Sequence, residues 1–200
     1  MKTILKLAFL AAMLLALVSA TYAETLTLTG TGSNQVAGDY TYPYYLSVNG
    51  AASVGMMCLS FDNEVTVGEW WYVTESTPTS VAQLEAAWLF ADAVTTPAND
   101  IADQVAAWSL FATEGSSLLA DDSPAAAAQL AMAAANYGSV NPANFTIYTP
   151  DGYDLNIPQT FIAETPTPEP SSLLLLGTGL FGLAVIVFRK NKTSGVVLRS

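Results

Sequence analysis

The sequence has no histidine, one cysteine, and no basic residue between Leu7 and Phe188. Lack of histidine removes the usual general base and the commonest metal ligand. A single cysteine allows neither an internal disulfide nor a zinc cluster. A Ser-His-Asp triad and its lysine variant are excluded, because the body holds neither His nor Lys. The six basic residues are Lys2, Lys6, Arg189, Lys190, Lys192 and Arg199, and all seventeen acids fall between the two basic ends. Salt bridges therefore cannot brace the body, whose stability must come from apolar burial and backbone hydrogen bonds. A body with acids and no bases stays soluble and repels nucleic acid and anionic lipid, so no nucleic-acid partner is expected. No residue pattern calls for a cofactor.

What the chain does have is uneven. Two hundred residues suffice for one domain plus targeting segments. Lys2 and Lys6 precede the apolar run Leu7–Val18, and small residues follow at Ser19, Ala20 and Ala23. That order predicts a secretory signal peptide over residues 1–23, cut after Ala23 with Ala20 as second choice. The apolar run is too short to span a membrane. Near the other end, the eighteen residues Ser171–Phe188 carry no charge. As a helix they would reach about 27 Å, the thickness of the hydrocarbon layer. The basic stop at Arg189, Lys190 and Lys192 predicts a cytoplasmic C-terminus with the body outside. Prolines at 166, 168 and 170 predict an extended spacer. The expected division is a signal peptide (1–23), an exported domain (24–163), a Pro-rich linker (164–170) and a sorting segment with one transmembrane helix (171–200).

Pro168-Glu169-Pro170, a span with Gly177, Gly179 and Gly182 in its middle, and the pair Arg189-Lys190 occur in that order. The set resembles the PEP-CTERM sorting signal of Gram-negative bacteria. The tail Thr193–Ser200 is longer than that pattern. The resemblance implies export through the Sec translocon, recognition by an exosortase (a membrane-embedded cysteine protease), and a link to extracellular polysaccharide and biofilm. The expected location is single-pass in the inner membrane with a periplasmic ectodomain, then the cell surface or the medium once the tail is removed.

Within the body, Thr25-Leu26-Thr27-Leu28-Thr29 alternates at period two and predicts an opening strand. Tyr40–Val48 reads as extended, with Pro43 marking an edge or bulge and Asn49-Gly50 a turn. Val54–Phe61 and Val65–Thr74 read as further strands, bent at Gly68. The period then changes. Ser80 with Gln83 makes a capping box, and Val81, Leu84, Trp88 and Ala91 share a helical face. A second helix begins near Pro97 and Asn99, with Ile101, Val105, Trp108 and Phe111 as its stripe. Ser123-Pro124 opens a third, which Gly138 closes. Strands return at Phe145–Thr149, Tyr153–Ile157 and Phe161–Ala163. The expected fold is α+β: a β-rich domain with an insertion of three helices, its sheet completed by the last segment.

Three polar residues stand out in apolar surroundings: Cys58 between Met57 and Leu59, Gln104 four before Trp108, and Gln159 ahead of Phe161-Ile162-Ala163. Gln104 falls on the buried face of its helix and should hydrogen-bond to nearby backbone, since an unpaired buried amide costs about 1–3 kcal/mol. A plain alternative is a core cysteine with two structural glutamines. The set resembles the thioester domains of Gram-positive surface adhesins, with Asp103, Ala107 and Pro158 departing from the family pattern. The resemblance implies Cys58 as the thiol, Gln159 as its acyl partner, and Gln104 and Trp108 as supports. The function expected is non-catalytic binding or adhesion, with capture of an amine-bearing surface or matrix polymer. Aromatic neighbours such as Trp70, Trp71 and Trp108 would shield such a bond from water. A secreted carbohydrate-active enzyme is the rival reading, through Asp62, Glu64 and Glu69 near Trp70 and Trp71. Calcium held by Asp151, Asp154 and Asn156 is a third, although no Asp-x-Asp-x-Asp-Gly loop is present.

Overall fold

The computed structural model describes residues 24–111, 123–152 and 157–165, together with 177, 178, 180 and 181. The expected signal peptide, the Pro-Glu-Pro tripeptide and most of the apolar run lie outside the described residues. Among the described residues, no helix is long and apolar enough to cross a membrane. The chain divides into two units, Met1–Glu164 and Thr165–Ser200.

In the first unit six strands close into an antiparallel barrel. They are β1 (Glu24–Thr31), β4 (Tyr44–Val48), β5 (Val54–Cys58), β6 (Trp70–Ser76), β7 (Phe145–Pro150) and β8 (Phe161–Glu164), in the order β1-β4-β5-β8-β7-β6. A small hairpin of β2 (Gln35–Val36) and β3 (Asp39–Tyr40) stands apart. Alternation decides what faces in. Leu26 and Leu28 of β1 are buried while Thr29 is exposed. Leu46, Met56, Cys58, Trp71, Val73 and Phe161 join the leucines in one core cluster. The last strand closes the ring by pairing with β5 on one side and β7 on the other, as the returning strands suggested.

Among the described residues, three α-helices lie between β6 and β7: α1 (Val81–Thr95), α2 (Asp100–Phe111) and α3 (Pro124–Asn136). The capping box forms as expected: Gln83 N–H donates to Ser80 Oγ at 3.2 Å and Ser80 N–H to Gln83 Oε1 at 3.1 Å. Ser123 caps α3 by accepting from Ala126 N–H at 2.9 Å, with Pro124 at the first turn. The opposite sides of β5, β7 and β8 supply Met57, Ile147 and Ile162 to a second core shared with Ala86, Leu89, Phe90 and Ala106 of the helices.

Several boundaries differ from the expectations. The strand through Cys58 ends there, short of Phe61, and the next starts at Trp70 instead of Val65. Glu69 N–H turns back to the Thr66 carbonyl and Gly68 takes φ +94°, so the segment before Trp70 is a turn. Residues 153–156 lie outside the described set, and Ile157 is not in a strand. On α1 the buried face is Ala86, Leu89, Phe90 and Ala93, while Val81 is exposed. That helix is apolar on nearly every side, so periodicity does not select a face; close packing of alanines against α2 does. On α2, Val105 and Trp108 are buried as expected, but Ile101 and Phe111 at its ends are exposed.

Candidate functional site

Cys58 is the last residue of β5 and has no exposed surface. Its backbone is clamped by one side chain from α2. Gln104 Nε2 donates to the Cys58 carbonyl at 2.6 Å, and Cys58 N–H donates to Gln104 Oε1 at 3.3 Å. A primary amide used this way imitates one rung of a sheet and ends the strand where no further strand residue follows. Gln104 is fully buried, so the expected side chain-to-backbone pairing is what satisfies it.

The register between β5 and β8 brings the other glutamine close. Met57 pairs with Ile162 and Cys58 with Phe161. Leu59 N–H continues the ladder to the Thr160 carbonyl at 2.8 Å, and Thr160 N–H donates to Ser60 Oγ at 3.0 Å. Extended one step, that register sets Ser60 opposite Gln159. Cys58 and Gln159 are then diagonal neighbours on one face, a separation of roughly 7–8 Å that long side chains bridge. Gln159 is only 8% exposed. Its Nε2 donates to the Asn63 carbonyl at 2.5 Å, while its Oε1 is buried with no partner.

Burial pushes the Cys58 thiol up to about 12, against smaller lowering effects from the Trp108 side chain and the Ser60 backbone. Trp108 N–H meets no acceptor in hydrogen-bond geometry, so its pull on the sulfur is electrostatic. Cys58 Sγ itself donates to the Ser60 carbonyl at 3.5 Å. The sulfur is thus a protonated thiol in a dry environment, neither a ready thiolate nor a metal ligand. Trp108 and Trp71 belong to the cluster that encloses it. Trp70 does not: it is 57% exposed and stacks edge-on with Tyr72 on the outer face, which removes it from the expected shield.

A pocket of about 560 Å³ opens beside this pair. Its buried floor includes Leu28, Tyr44, Trp108 and Gln159, and its exposed rim includes Asp39, Tyr40, Asp62 and Glu64. The β2–β3 hairpin brings Asp39 and Tyr40, and Tyr44 Oη donates back to the Tyr40 carbonyl. Sequence reasoning missed this wall. The hairpin turn is Ala37-Gly38, with φ of 52° and 100°, and lacks the Asn-Gly signal that marked the turn at 49–50. Asn63 and Ser60, which position Gln159 and its neighbour, were likewise unflagged; their adjacency to Cys58 was the available clue.

The carboxylates of the rival readings are scattered. Asp62 and Glu64 stand at the pocket rim, whereas Glu69 caps its own turn by accepting from Thr66 N–H at 2.9 Å. Asp151 accepts from Thr74 Oγ1 through both oxygens, at 2.7 and 2.8 Å. Asp154 and Asn156 lie outside the described residues. Among the described residues, no group of three or more Cys, Asp or Glu is arranged to hold a metal ion.

Comparison with known proteins gives one family match: residues 166–190 match the PEP-CTERM protein-sorting motif. The matched stretch contains Pro168, Glu169, Pro170, Arg189 and Lys190. The motif implies export, membrane-anchored sorting and processing by an exosortase. No curated protein matches the chain. Solved structures that are distantly similar include two from streptococci. One is the N-terminal domain of the Streptococcus pyogenes pilus tip adhesin Cpa, with 10% identity and a TM-score of 0.44, covering 76% of this chain and 97% of that one. The other is the N-terminal thioester domain of a protein F2 like fibronectin-binding protein from Streptococcus pneumoniae. It has 11% identity and a TM-score of 0.40, covering 73% of this chain and 95% of that one.

Proposed function

We propose that the chain is an exported, exosortase-sorted surface or matrix protein whose barrel domain binds covalently, through an internal thioester between Cys58 and Gln159. The single observation that carries the reading is the β5–β8 register, Cys58 opposite Phe161, which extended by two residues would set Gln159 diagonal to Cys58. The bond forms when Cys58 Sγ attacks Gln159 Cδ. Nε2 leaves as ammonia and takes the thiol proton, so no oxidant or cofactor is needed. The Gln104 clamp holds the strand end, and the enclosing aromatic cluster keeps water from the acyl group. An amine arriving from outside then forms an amide with Gln159 and returns the proton to Cys58. Each molecule reacts once, so this is capture and not catalysis.

The expected division of the chain serves the same role. Residues 1–23 act as signal peptide, 24–163 as the exported domain, 164–170 as spacer, and 171–188 as a single inner-membrane span. The ectodomain is periplasmic until tail removal releases it to the surface or the extracellular matrix of a biofilm. The test is thiol titration under denaturing conditions, before and after methylamine. A thioester protein yields no reactive thiol at first and one equivalent after methylamine. A full equivalent from the outset would refute the bond. Gln159→Ala should show its thiol without any amine.

A further inference from the structure

Resting on the thioester reading, we propose that the pocket beside Gln159 selects the free amine of a 2-amino sugar in a cationic glycan as its nucleophile. One buried atom points to a ligand there. Gln159 Oε1 belongs to a residue lining the pocket. That residue is more than nine-tenths buried, and the atom has no partner. Desolvated polar atoms of this kind are costly unless a ligand engages them.

The walls say which ligand. A volume of about 560 Å³ exceeds what a lysine side chain needs and lies in the range of ring-bearing ligands. Tyr40 and Phe61 offer aromatic surface of the sort that takes the C–H face of a pyranose. Thr31, Asn63 and Thr66 add groups that hydrogen-bond to hydroxyls. Asp39, Asp62 and Glu64 at the rim attract positive charge, and no Lys, Arg or His of the body opposes them. A glycan with several amino groups satisfies all of these: charged units lie along the rim while one neutral amine enters. The amine of a 2-amino sugar, beside electron-withdrawing ring oxygens, is less basic than a lysine amine. More of it is therefore free base at neutral pH. That amine attacks Gln159 Cδ, the C–S bond breaks, and the proton it sheds ends on Cys58 Sγ.

The experiment uses the full-length protein in detergent and follows adduct mass with time. Four nucleophiles are compared at equal free-base concentration: a glucosamine disaccharide, its fully N-acetylated form, a lysine-containing peptide and methylamine. The disaccharide should react about tenfold or more faster than methylamine, and the acetylated form not at all. Asp62→Asn combined with Glu64→Gln should bring the disaccharide-to-methylamine ratio down toward one. If methylamine adds but the disaccharide is no faster, or the lysine peptide is fastest, the glycan assignment fails and the thioester stands. If nothing adds and the starting mass is full, the thioester fails and the glycan assignment falls with it.

Discussion

Asp103 and Gln104 are consecutive on α2 and neither has exposed surface, yet they meet opposite fates. Gln104 faces the barrel and spends its amide on both backbone groups of Cys58. Asp103 faces the helical layer, where neither of its oxygens finds a donor. Its neighbour Asp92 is the better served carboxylate, accepting from Asn99 Nδ2 and Gln129 Nε2 at 2.8 Å each. Burial first, then Asp92 and Asp100, push the Asp103 carboxyl up to about 8. The Gln104 amide is thus satisfied at both ends. The helical side is completed by a proton, because a neutral Asp103 escapes the charge of Asp92.

That contrast predicts a pH response, and it is the largest effect expected. The folded state keeps a proton on Asp103 that the unfolded chain sheds above about pH 4. Between pH 4 and 8 the unfolded state therefore binds fewer protons, and stability falls as pH rises. The slope reaches at most about 1.4 kcal/mol per pH unit, and this contribution levels off above pH 8. Asp103→Asn should flatten the slope in urea melts. An unchanged slope in the variant would mean that Asp103 is not the group titrating.

Breaking the barrel side should cost somewhat less and should not depend on pH. Gln104→Ala orphans the buried N–H and carbonyl of Cys58, a loss of about 2–4 kcal/mol. Chemical denaturation at pH 6 and pH 8 would show the same decrement at both if the two sides are independent. The capping box sets the smallest scale: Ser80→Ala should cost about 1 kcal/mol through α1 alone. Its methylamine reactivity should match wild type, since no α1 residue belongs to the core cluster around Cys58.

The same contrast explains what could be read from residues alone. Local signals were legible: the alternation of Leu26 and Leu28, the Ser80–Gln83 box, the three-helix insertion, and a buried Gln104 in search of backbone. Trp70 and Trp71 could have been separated too, since period two sends one out and the other in. What was hidden is long-range. The sequence motifs named Cys58 and Gln159, but only the pairing of Cys58 with Phe161, across about a hundred residues, brings their two segments together. Nor could periodicity choose a face for α1, because its alanines, leucines and aromatics run around the helix. The unpaired Asp103 was noticed only as a departure from a motif. Its strain depends on Asp92, which another helix supplies.

The most direct test is the intact mass of the protein recovered from membranes without reductant or amine buffers. Loss of ammonia on joining Cys58 to Gln159 leaves the chain about 17 Da light, and methylamine turns that deficit into an excess of about 14 Da. Cys58→Ser should show the full mass of its own sequence. A wild-type chain at full mass, with its thiol titratable once unfolded, would contradict the thioester and leave Cys58 a buried core residue.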